Sequence, residues 1–288
     1  DWYLSSNLTN SKNLNKHLMN NVPISGVPKF LKNSVFPFEY NNFAQLKKIV
    51  ENQKIGTIKM EVQRDFQPKD NFLENVRKLA SDKNIILIFD ECTSGFRKTL
   101  GGLHKYYKVN PDIAIFGKAL GNGHAINAII GTKAVMDSCK STFISSTFWT
   151  ERIGPTAALA TLDVMEKNKS WEIISNMGKA IKKRWKIIAK SNNLNLDIKG
   201  LDAIPNFTFK SKNNLAYKTF ITQEMLKRKI LTSNAIYCSV VHNSKLLENY
   251  FHILNDIFYK INKFEKNIDN IQDKLETKIC LSGIREEK

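Results

Sequence analysis

Two uninterrupted apolar runs constrain this chain more than any other feature. Ile85-Ile86-Leu87-Ile88-Phe89 ends on Asp90-Glu91, and Ile113-Ala114-Ile115-Phe116 ends on Gly117-Lys118. Runs of this length without polar alternation read as strands buried on both faces, as in a parallel sheet covered by helices. As parallel neighbours they bring Asp90 and Lys118 side by side to the carboxyl edge of the sheet, where open α/β folds place their ligands. The interval, 118 − 90 = 28 residues, suits a strand, a crossover and a returning strand.

A carboxylate and an amine delivered together beside Gly117-Lys118-Ala119-Leu120-Gly121-Asn122-Gly123 suit the chemistry of pyridoxal phosphate (PLP). There a lysine forms a Schiff base with the cofactor aldehyde, and an aspartate keeps the pyridine nitrogen protonated so that the ring accepts electrons. A nucleotide-binding P-loop is rejected: it needs Ser or Thr after the lysine and a first glycine where this chain has Asp112, and Ala119 follows the lysine instead.

Asp90-Glu91-Cys92-Thr93-Ser94-Gly95-Phe96-Arg97, followed by the segment 111–123, resembles the signature of class III aminotransferases, PLP enzymes of fold type I. Within that class the likeness is to the glutamate-1-semialdehyde 2,1-aminomutase group. The resemblance implies PLP as cofactor, Asp90 as partner of the ring nitrogen and Lys118 as the Schiff-base lysine. It further implies that Thr147 contacts the cofactor phosphate, commonly across a homodimer interface, and that the substrate is a small amino acid or an amino-aldehyde or keto compound. By the same resemblance, Asp1 falls just after the family's Tyr-His-Gly segment, so this chain is expected to lack the first third of a full-length relative, with its main phosphate loop and ring-stacking aromatic. Glu61 takes the place of a glutamate that relatives often follow with proline; here Val62 follows. Thr150-Glu151-Arg152 stands where many relatives have Gly-Asn-Pro.

The residues themselves leave several roles open. Glu61 supports the cofactor pocket or simply pairs with an arginine or backbone at a strand end. Arg97 faces the pocket or, the favoured reading, neutralises the neighbouring Asp-Glu pair. Arg152 binds a substrate carboxylate or a nearby acid such as Glu151.

The 44 basic against 27 acidic residues leave a net charge of +17. The lysines are scattered among asparagines rather than gathered into an arm or interleaved with aromatics, so a specific nucleic-acid role is not expected. Four widely spaced cysteines form no C-x-x-C pair and point to a reducing, cytoplasmic setting. No run approaches a membrane span.

Along the chain, 10–33 reads as loop. Helices are expected at 43–50, capped by Asn41 or Asn42, and at 71–83, with strands at 55–62 and 126–131. The expected organisation is an α/β large domain at 1–165 with a mostly parallel sheet flanked by helices, then a smaller α+β domain at 166–288. The latter holds a long helix at 170–189, an alternating strand at 206–210, a helix at 215–229, a helix pair at 245–275 and a polar tail. The function expected is PLP-dependent amino-group transfer or its intramolecular aminomutase form. The alternative is a non-catalytic or partner-dependent remnant of such an enzyme.

Overall fold

Strands β1 (Thr57–Glu61), β2 (Ile86–Asp90), β3 (Ile113–Phe116) and β4 (Ala128–Gly131) lie side by side in chain order. They come from a computed structural model, which describes residues 2–14 and 23–281. Part of the 10–33 loop and the tail Glu286-Glu287-Lys288 lie outside the described residues. β1, β2 and β3 are parallel, and β4 pairs antiparallel with β3. The register places Glu61, Asp90 and Ile115 in one row across the sheet, at its carboxyl edge.

Helix α1 (Phe43–Asn52) starts where the Asn42 side chain accepts the Gln45 N–H at 3.1 Å, satisfying one of the donors a helix leaves free at its N-terminus. Helix α2 (Phe72–Asp82) carries Phe72, Val76, Leu79 and Ala80 at helical spacing and buries them. Both pack into one cluster with Ile58, Met60, Val62, Leu87 and Phe89.

The expectation of strands buried on both faces is corrected here. Ile58, Met60, Leu87, Phe89, Ala114 and Phe116 are buried, whereas the alternate residues Lys59, Glu61, Ile86, Ile88, Asp90, Ile113 and Ile115 are exposed or half-buried. Isoleucines on the second face removed the polar alternation that marks a half-open sheet. Hydrophobicity records what a face can bury, not what covers it.

Helix α3 (Ile153–Asn168) joins Phe96, Phe116 and Leu120 through Ala158, Leu162 and Met165. Lys169, in the left-handed region, ends it, and α4 (Ser170–Ser191) begins at the next residue. Beyond come the antiparallel pair β5 (Leu196–Lys199) and β6 (Asn206–Phe209), then α5 (Asn214–Lys227) and α6 (Ser244–Glu265). The helix pair expected at 245–275 is one 22-residue helix followed by a short 3-10 turn, Ile271–Lys274. Tyr250, Leu254, Ile257, Phe258 and Ile261 keep a single buried stripe along it.

These elements share a second core. Trp185 is fully buried, meets the Phe207 ring edge-on at 4.8 Å and donates its indole N–H to the Tyr250 hydroxyl at 3.0 Å. Trp185 is thus part of the core of this second unit. Gly178 lets α4 press on the following loop, since a Cβ there would lie 1.5 Å from the Asp202 carbonyl oxygen.

Candidate active site

β2 ends by turning sharply, and a buried acid holds the turn. Glu91 is 0% exposed, and its carboxylate accepts hydrogen bonds from Ser94 Oγ (2.6 Å), Leu103 N (2.9 Å) and His104 N (2.9 Å). His104 Nδ1 also lies 2.9 Å from Glu91 Oε1. With both oxygens engaged, the burial of this carboxylate is offset, and the turn after Asp90 is tied to the 101–104 loop.

That turn presents Asp90 and Thr93. Asp90 Oδ1 accepts the Cys92 N–H at 3.2 Å, and Oδ2 accepts from Lys59 Nζ at 2.9 Å. Burial raises the Asp90 carboxyl, but the Lys59 ammonium and the Cys92 N–H prevail and hold it below the usual aspartate range. Thr93 Oγ1 accepts a hydrogen bond from Lys118 Nζ at 2.6 Å, while its carbonyl accepts the Arg97 Nε–H at 2.7 Å.

Lys118 sits just past β3 at the head of the turn Lys118–Leu120, with φ of 45°, a left-handed conformation unusual for a lysine. Gly117 precedes it in extended backbone, and a Cβ there would lie 2.3 Å from Asn127 Oδ1. The lysine is thereby delivered from β3 to the turn that follows β2.

The charges interact. Burial, with a smaller push from Asp90, raises the Glu61 carboxyl against the opposing pull of Arg64 and Lys118. Burial likewise raises the Cys92 thiol, helped by Asp90 and opposed by Lys118 and Lys59. Cys92 therefore lies within electrostatic reach of both Asp90 and Lys118.

Of the residues singled out from sequence, Asp90 and Lys118 come to one edge on adjacent strands. Thr147 does not join them: it lies in the exposed stretch 141–150 and, among the described residues, makes no hydrogen bond to either. Glu61 pairs with Arg64 at 3.0 Å, the strand-end alternative. The expectation that Arg97 neutralises the Asp-Glu pair is corrected. Arg97 is buried, with its guanidinium carbon 5.4 Å from the Tyr237 ring centroid, and Lys59 and His104 are the residues that meet the two acids. Glu151 caps α3, accepting the N–H groups of Ile153 and Gly154, and forms no ion pair with Arg152 among the described residues. Lys59, Thr93 and His104 escaped the sequence reading. Strand parity alone places Lys59 on the face of Glu61, but which neighbour it meets depends on register.

The arrangement suits PLP. An ionised carboxylate and an amine with a hydroxyl partner stand at the carboxyl edge of a parallel sheet whose second face is partly open. Among the described residues no cluster of His, Cys, Asp and Glu has the grouping of a metal site, and no helix is long and apolar enough to cross a membrane.

Fold and site together define an α/β protein with the architecture of fold type I PLP enzymes. The chain belongs to the class III aminotransferases, the family whose profile matches residues 63–246. It is 29% identical over 262 residues to a 3-aminobutyryl-CoA aminotransferase of Cloacimonas acidaminovorans, covering 87% of this chain and 61% of that protein. It is 25% identical over 266 residues to a glutamate-1-semialdehyde 2,1-aminomutase of Hyperthermus butylicus, covering 83% of this chain and 62% of the relative. Among solved structures, the PLP internal aldimine form of the FumI protein of Sphingopyxis sp. MTA144 superimposes with a TM-score of 0.79 at 17% identity, over 88% of this chain and 64% of that one. An ornithine aminotransferase of Plasmodium yoelii gives 0.67 at 21% identity, over 78% and 62%. The chain thus spans a little over three fifths of the length of the curated relatives it matches.

Proposed function

We propose that this chain carries the catalytic edge of a PLP-dependent aminotransferase or aminomutase, with Lys118 and Asp90 as its central residues. The observation that carries the reading is the delivery of both to the carboxyl ends of adjacent parallel strands. Bound PLP supplies an aldehyde carbon for attachment to an amine and a cationic ring that accepts electrons.

The chain's own groups do the rest. Lys118 Nζ would hold the cofactor and, as a free amine, would serve as the base that moves a proton at the substrate carbon. Thr93 Oγ1 orients that amine. Asp90, whose carboxyl is held below the usual aspartate range, would keep a proton on the ring nitrogen and so favour negative charge at the substrate carbon. Cys92, on the same turn, feels the charge of both.

The substrate proposed is a small amino acid or an amino-aldehyde or keto compound, as the relatives' names suggest. Exchange within one molecule and exchange between donor and acceptor both fit these residues. We assign Thr147 to the cofactor phosphate across a homodimer interface. Its exposure and that of Phe143, Phe148 and Trp149 beside it, the first 96% exposed, support the assignment. A division near residue 165 is supported by α3 packing on the sheet core while α4 packs on the second core. The free cysteines fit a reducing cytoplasm.

Borohydride reduction after incubation with PLP, followed by peptide mapping, tests the reading. Label on Lys118 is expected; label elsewhere or none favours the non-catalytic remnant.

A further inference from the structure

We propose that Lys59 is a resident counter-ion of Asp90 that competes with the cofactor ring nitrogen for its carboxylate. The inference deepens the functional reading and rests on its assignment of Asp90 to that nitrogen.

Lys59 lies on β1 opposite Ile88 of β2, two residue pairs short of the row that holds Glu61 and Asp90. Strand parity puts Lys59 and Asp90 on the same half-open face, and the lysine reaches forward to Oδ2 at 2.9 Å. The other oxygen holds the Cys92 N–H. Both oxygens of the proposed pyridinium acceptor are therefore engaged by the chain itself.

A protonated ring nitrogen has to approach one of those oxygens. At Oδ2 it meets an ammonium of like charge bound to the same atom, and two cations about 4 Å apart repel even under strong screening. Lys118 does not substitute for Lys59, because its ammonium is bonded to Thr93, and Arg64 is paired with Glu61. The Lys59 side chain is 56% exposed, so its ammonium withdraws into water at the modest cost of a surface ion pair. Uptake of PLP then proceeds against a lysine of the neighbouring strand, and residue 59 tunes cofactor affinity without touching the reacting atoms.

The test is a set of PLP titrations of the full chain, read by absorbance and tryptophan fluorescence. Lys59→Met and Lys59→Gln should tighten equilibrium binding about threefold, the scale of one exposed ion pair. Lys59→Arg should stay near wild type. In an Asp90→Asn background, Lys59→Met should change nothing, since the competitor has no carboxylate to hold. Unchanged or weaker binding in both Lys59→Met and Lys59→Gln overturns the proposal, as does a gain that persists in the Asp90→Asn background. Failure of every variant to bind PLP and label Lys118 overturns the functional reading as well, whereas normal wild-type labelling with no effect at position 59 overturns only the competition.

Discussion

Lys118 reaches across from the end of β3 and donates its ammonium proton to the Thr93 hydroxyl, 2.6 Å away on the turn that follows β2. The contact joins two adjacent strands at their carboxyl ends and holds the amine from a backbone that is itself unusual, with φ of 45°. Thr93 is held in turn by Arg97, whose carbonyl accepts the Ser175 hydroxyl of α4 at 3.1 Å. The amine's position thus depends on a chain of contacts extending to the second core.

Thr93→Val keeps the shape of the side chain and removes the acceptor. We expect capture of PLP at Lys118, measured as borohydride-trapped label against time, to slow about fivefold, the effect of one partly exposed hydrogen bond to a charged group. Thr93→Ser should restore it. Equal rates for Val and Ser would assign the contact a packing role.

The pH dependence of stability follows from Asp90. Its folded carboxyl titrates below the ordinary value, so the contribution of its pairing is fully present above the unfolded pKa and is lost as pH falls through the folded pKa. Urea unfolding of wild type and Asp90→Asn should give parallel pH dependence above about pH 5 and diverge below about pH 4, with the wild type losing stability more steeply. Identical slopes in the acid range would contradict the ion pair with Lys59.

Glu91 is the one acid fully buried among the described residues. Glu91→Ala strands the Ser94 hydroxyl, two backbone N–H groups and the His104 ring in a buried turn. A loss of about 3–5 kcal/mol is expected from denaturant unfolding. Glu91→Gln should lose less, because its amide oxygen still accepts. A loss below about 1 kcal/mol for Glu91→Ala would show that water replaces the network.

Gly178→Ala tests the docking of α4. The new methyl would collide with the Asp202 backbone, which cannot rotate away like a flexible side chain. We expect destabilisation of about 2–3 kcal/mol and altered near-ultraviolet circular dichroism as Trp185 repacks. Wild-type stability would show that the loop moves freely.

The exposed apolar residues predict self-association. Phe143, Phe148 and Trp149 together with Ile129 and Ile130 of β4 present an unusually apolar exposed set. Sedimentation should give a dimer for the wild type and a shift toward monomer for Phe148→Ser combined with Trp149→Ser. A monomeric wild type would remove the support for placing Thr147 in a partner's site.

The sequence by itself determined the strands that lead to Asp90 and Lys118, the amphipathic helix α2, a cap for α1 at Asn41 or Asn42, and the family. These follow from local periodicity, capping chemistry and residue order, which act over a few neighbouring positions. Only the tertiary structure decided that Lys59 meets Asp90, that His104 meets Glu91, that Thr93 holds Lys118 and that Arg97 turns to Tyr237 instead of the acids. Each of these contacts is a matter of strand register or loop closure between segments 13 to 140 positions apart (104 − 91 = 13; 237 − 97 = 140). The half-open sheet face escaped for the same reason: an isoleucine reads as buried wherever it stands, and exposure depends on which other segments the chain folds against it.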